Sequence, residues 1–176
     1  MPTEISGSTG VNKIQDGTIV NADINSSAAI AGSKLVMPTG SVLQVVQARA
    51  TSQTSTTSTS YVSTGLSATI TPSSASNKIL IIGTAIVRVA MGANNYQLTV
   101  YRGSTNIAPV ASRGLVQVRD AGDERSDMTP TGMYLDSPNT TSATTYTWYH
   151  KSEGGSWVSF AIDDSYSQIT LMEIAG

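Results

Sequence analysis

The sequence predicts an all-β protein: an antiparallel β-sandwich or jelly-roll-like knob preceded by an extended N-terminal arm. Three observations lead there. From Ser41 onward, short β-branched or alternating runs recur about every ten residues, separated by Gly, Pro, Asn and Ser clusters. No segment carries the three-and-four apolar spacing of a long amphipathic helix. Hydroxyls also take the place of charge. Charged residues make up only 12% of the chain, against 25 Ser and 23 Thr among 176 residues, so the surface is neutral and β-compatible.

The knob is expected over 40–176, after the "PTG" turn at 38–40, where Pro38 fixes φ and Gly40 accepts unusual backbone angles. "SVLQVVQARA" (41–50) is the first strand and "TSQTSTTSTS" (51–60) a loop or solvated edge. In "YVSTGLSATITP" (61–72), Leu66, Ala68 and Ile70 alternate with Ser67 and Thr69. "KILIIGTAIVRVAM" (78–91) is the most apolar run. Gly83 and its Ile/Val content favour a central strand over a helix. "YQLTVYRG" (96–103) alternates, shorter strands fall near 105–110, 113–119 and 131–136, and "DSPNTTSA" (136–143) is a loop. "TTYTWYHK" (144–151), "SWVSFAID" (156–163) and "SQITLMEI" (167–174) complete the set. Glu173, among the last strand's apolar residues, marks either an inward or interface-facing carboxylate or an edge strand with one wet face.

Residues 1–37 read as a separate arm. They contain no aromatic residue, and Ile14, Ile19, Ile24, Ile30 and Leu35 are spaced by 5, 5, 6 and 5. That fits neither helix nor strand. Burying one Ile contributes roughly 1.5–3 kcal/mol, while ordering each residue of backbone costs roughly 1–2 kcal/mol. A lone arm therefore loses on the exchange. It orders only if copies wind about one another or if it lies in a groove on another protein. "NSSAAIAGSKL" (25–35) would suit a short helix, with Ser26 or Ser27 as N-cap and Lys34 near its end. The bland alternative is a disordered tail.

"DGTIVNADINSSAAIAGSKL" (16–35) resembles a repeat of phage tail-fibre and virion structural proteins. "GSVLQVVQA" (40–48) is similar to a frequent opening of globular domains in marine and cyanobacterial phage proteins. "ITPSSASNKILI" (70–81), "YLDSPNTTSATTYTWY" (134–149) and "SQITLMEI" (167–174) extend the likeness to roughly half the chain. The resemblance implies a homotrimeric knob on the virion surface, with the arm used for assembly or docking onto other virion proteins such as a major capsid protein or tail components. The chain's length, counted from its own Met1, favours a short fibre or a capsid decoration (cement) protein over a full tail fibre.

Chemistry is sparsely represented. The absence of Cys removes disulfides and thiolate chemistry. The net charge of −2, with 4 Lys and 6 Arg scattered, offers no nucleic-acid footprint. No membrane span and no signal peptide are visible, and no cofactor is expected. His150, the sole histidine, has no GxSxG elbow beside it and is expected at a solvent or interface position rather than as a base. "DAGDERSD" clusters Asp120, Asp123, Glu124 and Asp127. With Arg119 and Arg125 adjacent, it reads as a charge-balanced loop rather than a Ca²⁺ site. Asp163 and Asp164 could bind a cation or end a strand, and the turn is the favoured reading. Trp148, Tyr149 and Trp157 are either core aromatics or a stacking platform for host surface glycan. The overall expectation is a non-enzymatic virion protein, with a receptor-binding fibre tip as the alternative. A capsular-sugar hydrolase would need paired carboxylates in a cleft.

Overall fold

The computed structural model describes residues 27, 35–90, 95–108, 113–119, 125–162 and 166–176. Contacts divide the chain after Val36, and the unit Met37–Gly176 carries every strand described. In chain order these are β1 (Val42–Arg49), β2 (Thr54–Thr56), β3 (Val62–Ile70), β4 (Lys78–Thr84), β5 (Val87–Ala90), β6 (Asn95–Arg102) and β7 (Thr105–Asn106). They continue with β8 (Val116–Arg119), β9 (Arg125–Met128), β10 (Thr131–Asp136), β11 (Thr144–Ser152), β12 (Val158–Phe160) and β13 (Gln168–Ile174). All strand pairings are antiparallel, as the sequence predicts.

Two of the three sheets are halves of one layer. Their orders, β1-β13-β4-β10 and β2-β12-β5-β9, place consecutive strands at the same position. The breaks between halves are bridged: Ala50 N–H donates to Ser167 O (2.8 Å), Ala85 N–H to Pro130 O (3.0 Å) and Ala161 N–H to Ile86 O (2.8 Å). Pro130 has no N–H to give the ladder, which suits it to the gap between β9 and β10. The other layer runs β3-β11-β6, with β7 and β8 both paired to β6. Counting each broken strand once and setting the two-residue β7 aside, the layers read 1-8-3-6 and 2-7-4-5. That is jelly-roll connectivity.

The structure refines several boundaries. The run 78–91 is central as expected, but it breaks at Ala85–Ile86 into β4 and β5. The polar stretch 51–60 contains β2, and the last part of "DAGDERSD" contributes to β9. β13 is not an edge strand: it lies between β1 and β4.

Inward residues of both layers build the core: Leu66, Ala68 and Ile70 on β3, Ile79 and Ile81 on β4, Tyr96, Leu98 and Val100 on β6, Tyr146 and Trp148 on β11, Ile169 and Leu171 on β13, with Val87, Val89, Val158 and Phe160 beyond the break. Trp148 has a dedicated seat. Gly83 and Gly132 stand opposite one another on β4 and β10, and a Cβ built on Gly83 would lie 2.2 Å from Trp148 Cζ2. The Gly–Gly pair leaves the hollow that the indole fills.

Candidate interaction surfaces

Strand alternation assigns the outer face of the first layer. The ladder registers align Val45, Met172, Leu80 and Leu135 in one row across β1, β13, β4 and β10. The next row is Gln47, Thr170, Ile82 and Met133, and Val42 and Ile174 pair on the other side. Val42 (50%), Val45 (56%), Met133 (64%) and Leu135 (47%) are well exposed, while Leu80, Ile82, Met172 and Ile174 are half-buried. A polar row, Arg49, Gln168, Thr84 and Thr131, closes the patch at one end. In the row before it Gln47 Nε2 donates to Thr170 Oγ1 (3.1 Å), and in the polar row the Arg49 guanidinium lies 4.1 Å from the Tyr166 ring centroid. The result is a four-strand face that is apolar apart from Gln47 and Thr170, bounded by Arg49 at one end and by Lys78, beside Ile174, at the other.

The opposite outer face has a different character. β3 and β11 present Ser63, Ser67, Thr69, Thr145 and Thr147, and the Thr69 and Thr145 hydroxyls share a 2.8 Å hydrogen bond. Tyr149 stacks on Tyr101 at 4.0 Å, with Tyr61 edge-on to Tyr101 and the Lys151 ammonium 4.7 Å from the Tyr61 ring. Burial, and then the neighbouring Tyr101, push the Tyr61 phenol up to about 12.

The sequence-predicted site residues separate. Ile14, Ile19, Ile24 and Ile30 lie outside the described residues, as do Asp120, Asp123, Glu124, Asp163 and Asp164. Of the 25–35 segment only Ser27, in a turn, and exposed Leu35 are described. Trp148 is fully buried and points to the opposite side of β11 from Tyr149, so the proposed glycan trio does not exist as a surface. Tyr149 is half-buried against Tyr101, and Trp157 is exposed elsewhere. Among the described residues, no three His, Cys, Asp or Glu side chains converge as a metal site. Asp127 accepts from Arg88 Nε (2.7 Å) and Nη2 (2.8 Å).

His150 is neither solvent-facing nor at an interface. It faces the core from β11, its Nδ1 lies 3.0 Å from Tyr96 Oη, and burial lowers its pKa to about 4. Glu173 is the inward carboxylate of the two alternatives. Burial opposes its ionisation, but Asn77 Nδ2 (2.6 Å), Gln44 Nε2 (2.6 Å), Ser73 Oγ (2.8 Å) and Ser73 N–H (2.6 Å) all donate to it. Together they hold the carboxyl below its ordinary range. At the sandwich edge, Asp136 accepts from Arg102 Nη1 (2.8 Å) and Tyr146 Oη (2.7 Å).

The apolar outer face escaped sequence reading, although its signal was present. "KILII" and "TLMEI" are apolar at both parities, whereas a one-sided strand alternates. A scan against protein-family models and a search of curated proteins both return no match to this chain.

Proposed function

We propose that the protein is a non-enzymatic, homotrimeric structural protein of a phage virion, a capsid decoration (cement) protein or short fibre, held on the particle surface through residues 1–37. The observation that supports this reading best is the apolar outer face of the first layer. An apolar area of that size, with charge only at its ends in Arg49 and Lys78, is characteristic of surfaces that are covered in an assembly. The buried histidine and carboxylates serve packing and hydrogen bonding: His150 sits against Tyr96, Glu173 in its ring of donors, and Asp136 with Arg102 and Tyr146.

The arm is tested by replacing Ile19 and Ile24 together with Asp. Co-sedimentation with particles lacking the protein is expected to be lost, while the knob keeps its far-UV spectrum and melting temperature. Wild-type binding by the double variant would remove the arm from the docking role. Because the contacts are apolar, attachment is also expected to persist between about 0.15 and 1 M salt, where screening abolishes exposed ion pairs.

A glycan-recognising tip is the second reading, with Tyr149 kept and Tyr101 in place of the two tryptophans. The Tyr101–Tyr149 stack amid hydroxyls on the second layer's outer face favours it. Saturable quenching of tyrosine emission by host surface polysaccharide, lost in Tyr149→Ala, is its test.

A further inference from the structure

We infer that Glu173 is the centre of an acid-sensitive latch, which holds residues 38–41, where the chain enters the knob, against residues 173–176 and the turn at 71–77. Glu173 is a positioning residue here, acting on 38–41 through its neighbours. The inference goes beyond the proposed function and does not depend on it.

Local devices converge on this one inward carboxylate. On β1, Gln44 pairs with Glu173, but the partner of Ile174 is Val42. Leu43 is therefore the extra residue of a β-bulge, which lets Val42 and Val45 both face outward while Gln44 faces Glu173. Gln44 Nε2 donates to Glu173 Oε2 (2.6 Å) and to Thr71 O (2.8 Å). From the turn between β3 and β4, Ser73 N–H, Ser73 Oγ and Asn77 Nδ2 donate to Glu173 Oε1. Asn77 carries the tie onward, because its Oδ1 accepts from Gly176 N–H (3.0 Å). Beside it Ala175 N–H donates to Ser41 O (2.9 Å), Gly40 N–H to Ala175 O (2.8 Å) and Ser41 N–H to Pro38 O (3.0 Å). One carboxylate thus joins segments that are remote in sequence.

The partners fit the ionised carboxyl. Asn77 Nδ2, Gln44 Nε2 and the Ser73 amide can only donate, so a protonated Glu173 would set its own O–H against donors. Glu173 is 1% exposed, and water reaches the groups so orphaned only if the cluster opens. Burial raises its pKa, but the bonds from Asn77, Gln44 and Ser73 more than offset this and hold the carboxyl below its ordinary range. The latch is therefore closed at neutral pH and opens as pH falls through the folded value. Other charged groups lie to the side. Asp136 shares the inward row Gln44–Glu173–Ile79–Asp136 at two strand spacings, about 10 Å, and is held by Arg102 and Tyr146. Lys78 stands on the outer side of β4 beside Ile174, β3 carries no titratable side chain, and the chain end at Gly176 is held by the opposite end of the Asn77 amide.

The test is hydrogen exchange of the full-length chain, read by mass spectrometry on peptides covering 38–43 and 172–176 and corrected for the intrinsic effect of pH. Peptides covering β11 serve as the reference. Below about pH 4 the His150 effect has levelled off, so a change confined to the two latch peptides reports on the cluster. In the wild type their protection is expected to fall by about tenfold relative to β11 between about pH 4 and about pH 2.5, the loss of one charge-assisted cluster by local opening. Glu173→Gln is expected to show that deficit already at pH 7, with no further change on acidification. Wild-type latch peptides that stay level with β11 throughout would overturn the inference. An even loss of protection across all peptides in Glu173→Gln would make Glu173 a stabiliser of the whole knob, and would overturn it too. Should Glu173→Gln fail to fold, Gln44→Ala removes a single donor and is read in the same way, beside the wild-type series.

Discussion

Gly83→Ala is the sharpest test of the packing between the two layers. The added methyl would lie 2.2 Å from Trp148 Cζ2, 2.5 Å from Cε2 and 2.5 Å from Nε1. Carbon pairs rest at about 3.5–4.0 Å, so three ring atoms are overlapped by about an ångström or more. Neither side can yield cheaply. Gly83 is paired on both flanks, to Ile169 and Gly132, and Trp148 lies on β11 between β3 and β6. The cost belongs at the upper end for overpacking, about 3 kcal/mol, and lowers the melting temperature by about 10 °C in a domain of this size. Thermal and urea unfolding followed by far-UV circular dichroism, at one fixed protein concentration because assembly adds to stability, measures it. Trp148→Phe removes part of the indole and costs about 2 kcal/mol alone. In the double variant it makes room for the methyl, and the two losses should fall short of additivity by at least about 1 kcal/mol. If Gly83→Ala unfolds within about 0.5 kcal/mol of wild type, the indole does not occupy this hollow.

The remaining predictions concern buried polar groups. An unfolded chain takes up a proton on His150 below about 6.5, whereas the folded chain resists until about 4. Stability should therefore fall by about 3 kcal/mol as pH drops through that window, and level off below it; unfolding curves of His150→Gln should lack this slope. Glu173 acts in a lower window, because its folded pKa is depressed: its contribution is complete above about 4.5 and is lost as pH falls through the folded value. Glu173→Gln sets an amide donor against Gln44 Nε2 and should cost about 2 kcal/mol at pH 7 by urea unfolding. Tyr146→Phe leaves Asp136 with Arg102 but removes the 2.7 Å phenol bond, and should cost about 1.5 kcal/mol in the same assay.

Much of the architecture was legible because period-two alternation and turn chemistry are local. Leu66, Ala68 and Ile70 face inward, and Tyr146, Trp148 and His150 share one side of β11. The break at Ala85–Ile86 was not legible, because Ser167 and Pro130, which bridge it, are remote in sequence. His150 was misplaced for a related reason. Proximity to a strand's end suggests solvent, yet Tyr96 and Phe160 close over the ring from β6 and β12. The glycan trio failed on a point that alternation itself contains, since Trp148 and Tyr149 are consecutive and must face opposite ways.

The apolar outer face carries a different lesson. A strand buried on one side alternates, and a strand buried on both reads as a continuous apolar run. "KILII" reads as the latter, yet β4 lies in a two-layer sandwich with no third layer among the described residues to cover Leu80 and Ile82. Val45, Met133 and Met172 extend the same excess to the other three strands of the layer. Random drift would scatter surface apolar residues; here they occupy one row across four strands and the flanks of the next. The continuous run in the sequence therefore corresponds to an apolar outer face that the single chain leaves uncovered. The isoleucine ladder of the arm has the same character, apolar side chains in excess of what one chain can bury. On the reading proposed above, the two features make separable demands on assembly. If the proposed reading holds, a variant at Ile19 and Ile24 should change binding to the particle while the knob's unfolding curve stays as it is.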